Sequence, residues 1–171
     1  MVLPLVSLGS ARTDGETRKA VDIAFPPGAA ELVVLPDFTI GGYDYKHFNS
    51  DDAFGGIALR MAEAEKIVFA TPVYWYTMSA PMKIFFDRLT DMTENLKSVG
   101  KQLAGKSVWV IATGTETVLP EGFEVPFART AGYFGMTYRG SAYLYTGTDR
   151  TRRADTEVAL VRFGASVIDA Y

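Results

Sequence analysis

Residues 66–89, KIVFATPVYWYTMSAPMKIFFDRL, join a strand to a helix and constrain the fold more than any other part of the sequence. Residues 67–70 form a short apolar run, which is typical of a strand covered on both faces. Ser79 is a good helix N-cap, and Pro81 lies in the first helical turn, where its missing N–H costs little. Apolar residues then recur along one helix face, at Met82, Phe85, Phe86 and Leu89. The segment therefore predicts a strand–loop–helix unit of a parallel sheet.

The loop inside this unit, residues 72–78, is crowded with aromatic rings at Tyr74, Trp75 and Tyr76. A strand that runs directly into a helix puts its loop at the carboxyl edge of the sheet, where open α/β sheets bind ligands. Packing alone explains three neighbouring rings poorly, because two neighbours cannot both point into one core. We expect this loop to form one wall of a site for a flat ligand. The alternatives are a core ring flanked by two surface rings, or a contact between subunits.

Four more apolar segments have the character of strands, within residues 3–8, 31–35, 107–112 and 137–145. Helices are predicted between and after them, at residues 17–24, from 51–52 onward, 80–97, within 122–134, and 151–171. This alternation predicts the α/β class, with a mostly parallel sheet covered on both faces. We expect a single domain over residues 1–171, a flavodoxin-like three-layer α/β/α fold with five parallel strands in the order 2-1-3-4-5. The final helix is predicted to face inward through Val158, Val161, Ala165 and Ile168.

The composition removes several kinds of chemistry. The chain has no cysteine, which excludes disulfides, iron–sulfur clusters, thiol nucleophiles and cysteine-bound zinc. Its single histidine, His47, excludes a histidine-rich metal site and disfavours a Ser-His-Asp triad. The formal net charge is −3 and the basic residues are scattered, so we expect neither a nucleic acid nor a membrane as partner. The amino end lacks the basic region of a signal peptide, and a cytoplasmic location is the default expectation.

Three loops stand at the carboxyl ends of predicted strands, at residues 9–17, 72–78 and 113–116. In the flavodoxin-like order the first and third strands are adjacent, so their loops meet. The first loop offers N–H groups at a helix start, the hydroxyls of Ser10 and Thr17, and Arg12 as a cation for a phosphate. A phosphate at one end and a flat ring at the other describe a mononucleotide with a planar head. Taken singly, each loop also has an ordinary interpretation as N-cap chemistry, a solvated arginine or a plain turn.

A competing motif, GKQLAGKS at residues 100–107, matches the phosphate-loop pattern G-x-x-x-x-G-K-[ST]. A working phosphate loop follows a strand and opens a helix, so that backbone amides and the helix start hold the phosphates. Here the match follows a predicted helix and runs into a predicted strand, which puts Lys106 and Ser107 at the opposite edge of the sheet. We interpret the match as coincidence and keep a nucleoside triphosphatase as a minor alternative.

Two further polar groups lie outside these loops. His47 stands in a long connection beside two tyrosines, and we favour a surface loop with some aromatic anchoring. The alternative is that this connection overhangs the ligand or a neighbouring subunit, since long loops in compact domains often have a role. For Asp87, Arg88 and Asp91 we expect a polar helix face or a contact between subunits rather than catalytic groups.

With these residues assembled, the chain resembles the NADPH-dependent FMN reductase family of flavodoxin-like proteins over nearly its whole length. The likeness is strongest in TPVYWYTMSAPMKIFFDRL, which is close to the family pattern TPxYWxSMSAxxKxFxDR. It is supported by the pattern G-S-x-R-x-x-G-x-T at residues 9–17. Two departures are modest: Thr77 stands where serine is common, and Pro81 is unusual so early in the helix.

The resemblance implies FMN bound at the carboxyl edge of the sheet, NADPH or NADH as co-substrate, and assembly as a homodimer or homotetramer. Carried over by position, the residues around the phosphate would be Ser10, Arg12, Gly15 and Thr17. The isoalloxazine ring would be lined, largely through backbone groups, by Pro72, Val73, Tyr74 and Trp75. Its other side would be closed by Thr113, Gly114 and Thr115.

The activity implied by this resemblance is a hydride relay from a nicotinamide through flavin N5 to a small acceptor, such as a quinone, flavin, nitro or azo compound. Such a relay requires no dedicated protein acid or base, so no catalytic side chain is predicted. The alternatives are a non-catalytic flavodoxin-like electron carrier and a flavin-fold binding module. The mild net charge of −3 and the presence of Arg12 favour the enzyme, since true flavodoxins are usually strongly acidic and lack arginine in the phosphate loop.

Overall fold

The computed structural model describes residues 2–170, and its strands form one parallel sheet with a short antiparallel extension. The strands are β1 (Leu5–Leu8), β2 (Glu31–Val34), β3 (Lys66–Tyr74), β4 (Thr77–Met78), β5 (Ser107–Gly114) and β6 (Thr137–Tyr145). The five parallel strands run in the order β2-β1-β3-β5-β6, which confirms the predicted order 2-1-3-4-5. The two-residue strand β4 pairs antiparallel with the end of β3 and is absent from the sequence prediction.

The helices cover both faces of the sheet. They are α1 (Glu16–Ala24), α2 (Phe54–Glu63), α3 (Ala80–Arg88), α4 (Lys97–Gly100), α5 (Val125–Tyr133) and α6 (Arg150–Asp169). Alternate strand residues point to opposite sides. Phe69 and Val110 join the core with α2, α3 and α5, whereas Val68 and Ile111 join the core with α1 and α6. The predicted flavodoxin-like three-layer α/β/α fold is thereby confirmed.

Two expectations about the whole chain have a narrower basis. Organisation as a single domain over residues 1–171 stays a prediction, and Tyr171, the last residue of the predicted final helix, lies outside the described residues. None of the helices in residues 2–170 has the combined length and apolarity required to cross a membrane.

Helix α3 ends at Arg88, well before the predicted end near residue 97. The chain continues as a 3₁₀ helix, Leu89–Thr93, and then turns so that the Leu96 N–H donates to the Asp91 carbonyl at 2.8 Å. Leu89 and Met92 are both buried, at the i, i+3 spacing that aligns side chains in a 3₁₀ helix. Apolar residues at this spacing fit a long α-helix equally well, so the sequence does not reveal the break.

The predicted inward face of α6 is wrong. Val158, Val161 and Ala165 are exposed, and the buried residues are Leu160, Gly164 and Val167; only Ile168 of the predicted set packs against the core. The cause is Gly164, whose missing side chain lets α6 lie directly against α1. A Cβ at this position would overlap the carbonyl oxygen of Ala24. A glycine is not counted in an apolar pattern. The buried face of α6 therefore differs from the face that Val158 and Val161 indicated.

Candidate functional site at the carboxyl edge

The connection between β1 and α1 leaves a helix start open to an anion. Ser10 is buried, and its Oγ accepts a hydrogen bond from the backbone N–H of Arg12 at 3.3 Å. Gly15 occupies the N-cap of α1, and no side chain caps the helix. The N–H groups of the first turn, together with the positive end of the helix dipole, suit a phosphate. The Arg12 side chain is exposed, with Asp14 as a distant partner at 3.9 Å.

The first and third loops meet through two threonines. Thr17 lies in the first turn of α1 and Thr113 near the end of β5, and both are buried. Their Oγ1 atoms are 2.9 Å apart, and either hydroxyl can donate. These residues are 96 positions apart in the sequence, and the contact fixes the start of α1 against the end of β5. The hydroxyl pair therefore lies between the two ends of the predicted cofactor site.

The first and second loops are joined by Ser79, the N-cap of α3. Its Oγ donates to the carbonyl of Gly9 at 2.7 Å, and its N–H donates to Thr71 Oγ1 at 3.0 Å. A Cβ on Gly9 would lie 2.8 Å from the Cβ of Met82, so only glycine allows the first loop to approach α3 this closely. Sequence reasoning assigned Ser79 its capping role but missed its bond to Gly9 and the part played by Thr71, because both contacts cross between loops.

The three aromatic residues form a β-hairpin rather than an irregular loop. Strands β3 and β4 are joined by Trp75 and Tyr76, whose φ angles of 49° and 66° are both positive. A two-residue turn with two positive φ angles is a type I′ turn, in which Asn-Gly is preferred and bulky residues are strained by about 1 kcal/mol or more each. Trp75 is 92% exposed, and Tyr74 and Tyr76 are also exposed. None of the three rings is a core residue, which excludes the first alternative interpretation of this stretch.

The end of β5 packs closely against β6 and β3. A Cβ on Gly114 would lie 2.7 Å from Tyr143 Oη and 3.4 Å from the Val73 Cβ, so the glycine makes room for both neighbours. Tyr143 Oη donates to the carbonyl of Glu116 at 3.0 Å. Burial, followed by the negative charge of Glu116, raises the pKa of Tyr143 to about 12. Tyr143 supports the third loop from below, a role that no motif in the sequence indicates, while Thr115 is exposed at its outer end.

The acidic side chain at the start of α1 is already paired with two cations. Glu16, the first residue of α1, accepts a hydrogen bond from Lys19 Nζ at 2.7 Å and from Arg153 Nη2 at 2.6 Å. These two cations, the Lys19 hydrogen bond foremost, lower the pKa of Glu16 against the opposing effect of burial. The carboxylate next to the open helix start is therefore neutralised by its own partners.

The phosphate-loop match lies at the other edge of the sheet. Ser107 begins β5, and Lys106 Nζ donates to the Ala64 carbonyl at 2.6 Å, beyond the end of α2. Burial lowers the pKa of Lys106, with Glu65 opposing the shift. A cavity of about 930 Å³ opens at this edge. None of the helices in residues 2–170 begins among the residues that line this cavity, so it lacks the geometry that the motif needs to hold phosphates.

The interpretation of Arg88 as part of a polar face or subunit contact is wrong. Its side chain is 2% exposed and pairs with the carboxylates of Asp52 and Asp91. It also donates to the carbonyls of Gly41 and Asn49, both at 3.0 Å. Burial opposes charge on Asp52, but the hydrogen bonds from Arg88 and from backbone N–H groups outweigh it and lower the Asp52 pKa. Arg88 thus fixes the long connection of residues 36–53.

The predictions for Asp87, Asp91 and the connection around His47 have different outcomes. Asp87 is exposed and pairs with Lys83 at 2.6 Å, as expected of a polar helix face. Asp91 is buried, in contrast to that expectation. In the connection around His47, the predicted aromatic anchoring is limited to Tyr43, whose Oη donates to Glu94 Oε2 at 3.1 Å, whereas Tyr45 is 87% exposed.

The strand order and the two layers of helices define a flavodoxin-like α/β/α protein whose three loops are joined at one edge of the sheet. Residues 4–119 match the sequence model of the family described as NADPH-dependent FMN reductase, and the chain belongs to this family. The match covers the first two loops completely and the third through Glu116, and it confirms the family resemblance seen in the sequence.

Individual proteins agree with this assignment. A Bacillus subtilis (strain 168) protein named as an NAD(P)H-dependent FMN-containing oxidoreductase, YwqN, is 26% identical over 142 residues, covering 77% of this chain and 78% of that protein. Among solved structures, the Trp repressor binding protein from Bacillus subtilis has a TM-score of 0.74 at 22% identity, covering 93% of this chain and 96% of its own. An FMN-dependent NADH-azoreductase from Bacillus anthracis, in complex with FMN, has a TM-score of 0.70 at 10% identity, covering 97% and 99%. The two structures show the shared fold.

Proposed function

We propose that this chain is an FMN-dependent NAD(P)H oxidoreductase that passes a hydride from a nicotinamide to a small acceptor. The observation that carries the proposal is the direct bonding of the three loops at the carboxyl edge, through Thr17 and Thr113 and through Ser79 and Gly9. The family match and the FMN-containing relative support the choice of cofactor. When bound, FMN supplies the chemistry by accepting a hydride from the nicotinamide and delivering it to the acceptor.

The residues present fit the phosphate end of FMN. The uncapped first turn of α1 behind Gly15 offers N–H donors, and the hydroxyls of Ser10 and Thr17 lie beside it. The side chain of Arg12 is exposed and can add a cation. We assign the phosphate to these four residues.

The fit at the ring end depends on close backbone approach. Gly114 lets the end of β5 pack closely against Val73, and β3 is paired with β5 up to Pro72 and Thr113, so two backbone segments end side by side at the edge where we place the flat ring. We assign the isoalloxazine ring to Pro72, Val73, Tyr74 and Trp75 on one side and to Thr113, Gly114 and Thr115 on the other. The exposed rings of the hairpin give an aromatic acceptor a surface on which to stack.

We propose no side chain at this edge as a proton donor or acceptor for the ring. Tyr143, the phenol that supports the third loop, is held neutral by its raised pKa of about 12 and bonds to a backbone carbonyl. The protein therefore contributes binding and orientation rather than acid–base catalysis. Quinones, flavins, nitro compounds and azo compounds all satisfy these requirements as acceptors.

The remaining features of the proposal concern the whole protein. We propose one FMN-binding domain over residues 1–171, a homodimer or homotetramer in solution, and either NADPH or NADH as the donor. The cytoplasmic location expected from the sequence stays a prediction.

The visible spectrum of the purified protein tests the proposal, recorded before and after FMN is added and again after NADPH is added under nitrogen. We expect flavin bands that shift on binding and bleach with NADPH or NADH. If FMN binds but neither NADPH nor NADH bleaches it, the protein is an electron carrier rather than an oxidoreductase that uses a nicotinamide. If the protein takes up no FMN, the assignment of all three loops is refuted. The variant Thr113→Val tests whether uptake occurs at this edge, since we expect it to lose FMN affinity.

A further inference from the structure

A second cluster of titratable side chains lies away from the three loops, where the connection of residues 36–53 meets the segment after α3. His47 belongs to this connection, Asp91 lies in the 3₁₀ helix Leu89–Thr93, and Glu94 follows it directly. His47 Nδ1 is 3.3 Å from Asp91 Oδ1, and His47 Nε2 is 3.3 Å from Glu94 Oε2. One ring nitrogen and one oxygen from each carboxylate lie within 4.8 Å of one another. Ligands that share one metal ion lie roughly 3–4 Å apart for bonds of about 2 Å, so the partly exposed side chains of His47 and Glu94 need only a small movement towards Asp91 to enclose an ion.

The charge around this cluster is unbalanced. Arg88 donates from Nε to Asp91 Oδ2 at 2.8 Å, but it also pairs with Asp52. The single positive charge of Arg88 is therefore shared by two carboxylates, and Glu94 adds a third negative charge nearby. No other arginine or lysine in residues 2–170 lies within ion-pair distance of Asp91 or Glu94. The side chains of Arg88, Asp52, Asp91 and Glu94 together carry a net charge of −2, since Arg88 contributes +1 and the three carboxylates −3. A divalent cation would neutralise this charge.

The candidate ligands are already oriented by outer contacts. Arg88 holds one oxygen of Asp91 and leaves Oδ1 facing His47. Tyr43 Oη donates to Glu94 Oε2 at 3.1 Å. Hydrogen bonds of this kind orient metal ligands and raise their affinity for the ion. The Asp91 side chain is 4% exposed, His47 30% and Glu94 44%, so the cluster is anchored at its base and open to water at its rim.

We propose that His47, Asp91 and Glu94 bind one divalent transition-metal cation, with Zn²⁺ the best match. An imidazole nitrogen with two carboxylate oxygens is a ligand set that zinc accepts, and three protein ligands leave a fourth position for water. Mg²⁺ prefers an all-oxygen octahedral shell and is disfavoured by the imidazole. The ion takes one ring nitrogen of His47 together with one oxygen from each carboxylate. The bound ion ties the connection of residues 36–53 to the segment that follows α3.

Calorimetric titration of the untagged, FMN-saturated full-length protein with ZnCl₂, after removal of metals with EDTA and dialysis, tests the proposal. We expect one Zn²⁺ per chain and a rise in the thermal unfolding midpoint that Mg²⁺ at the same concentration does not produce. His47→Asn removes the imidazole and keeps a residue that tolerates the positive φ of 55° at this position. This change and Glu94→Gln should each weaken Zn²⁺ binding at least about tenfold.

The matched control is Glu63→Gln, which neutralises an exposed carboxylate on α2 and should leave Zn²⁺ binding unchanged. The unfolding midpoint without metal shows that each variant is folded. Absence of Zn²⁺ binding by the wild-type protein overturns the proposal, and so does equal binding by His47→Asn and the wild type. Flavin uptake is recorded in the same samples. Because the cluster lies outside the three loops, failure of Zn²⁺ binding leaves the proposed flavin chemistry unaffected.

Discussion

The connection of residues 36–53 and the hairpin of residues 72–78 both follow strands at the carboxyl edge, yet they are held in opposite ways. The longer one is fixed by the buried side chain of Arg88, which pairs with Asp52 and bonds to two carbonyls of the connection. The shorter one has a strained turn with exposed rings, and it is held at its base by two paired residues of β4.

The difference shows that length does not decide how a loop is ordered. The connection satisfies its polar groups internally, so a change there should cost stability. The hairpin and the loops around Thr17 keep their groups available, so a change there should cost ligand affinity instead. Each of the following substitutions tests one side of this contrast.

Arg88→Met should have the largest effect. It removes the one cation that pairs with the carboxylates of both Asp52 and Asp91, and breaking a buried ion pair on one side costs about 3–5 kcal/mol of unfolding free energy. Urea denaturation followed by circular dichroism measures the loss. Lys83→Met on the same helix removes only an exposed pair with Asp87 and should cost less than about 1 kcal/mol. Equal losses in the two variants would contradict the assigned role of Arg88.

Thr17→Val and Thr113→Val should each lower the unfolding free energy by about 1–2 kcal/mol, because each leaves the other hydroxyl without its partner. The double variant should lose less than the sum of the two. FMN affinity, measured by quenching of flavin fluorescence, should fall at least about tenfold on loss of the Thr17 hydroxyl, since a bond to a charged phosphate is worth about 1.5–3 kcal/mol. Thr93→Val, away from the site, should leave FMN affinity unchanged.

Replacing Trp75 and Tyr76 by Asn and Gly should increase stability while reducing function. Asn-Gly suits a type I′ turn, and relief of two positive φ angles should add about 1 kcal/mol to the unfolding free energy. The loss of two exposed rings should weaken binding of an aromatic acceptor, seen as a higher KM in steady-state assays. A destabilised variant, or one with unchanged kinetics, would show that the rings serve the fold rather than the site.

The ionisation of Tyr143 should produce the smallest effect. Its pKa is raised from 10 to about 12, so the neutral phenol is favoured in the folded protein. The resulting stability is fully present below pH 10 and is lost as the pH rises towards 12. Ultraviolet titration of tyrosinate formation should show a late phenol near pH 12 that Tyr143→Phe removes, in addition to Tyr138, whose pKa is also raised by burial and by its hydrogen bond to Glu124. An unchanged titration curve in that variant would assign the late phenol to another tyrosine.

Much of the fold could be predicted because its signals are local. Continuous apolar runs mark the buried parallel strands, and the segment around Ser79 carries its own cap and helix face. The three loops follow from the strand order, since carboxyl ends of neighbouring parallel strands share one edge. Whether the eleven residues assigned to FMN hold it stays a prediction.

The features that sequence reasoning missed depend on distant contacts or on absent side chains. The partners of Arg88 lie 36 to 47 positions away, except for Asp91, so the buried role of its charge has no local pattern. The turn at Trp75 and Tyr76 lacks the usual Asn-Gly signal. The orientation of α6 is decided by Gly164, a residue that contributes no apolar surface of its own.

The orientation of α6 lets this helix connect the two edges of the sheet. Its 20 residues span about 30 Å, with Arg153 bonded to Glu16 at one end and the Ile168 carbonyl bonded to Lys66 Nζ at the other. The closest point of support is the crossing at Gly164. A methyl group at residue 164 would push α6 away from α1, and the tilt of α6 would be transmitted to the start of α1 through the contact between Arg153 and Glu16. The geometry of the anion end is thus set partly by a residue on the far side of the molecule from the aromatic hairpin.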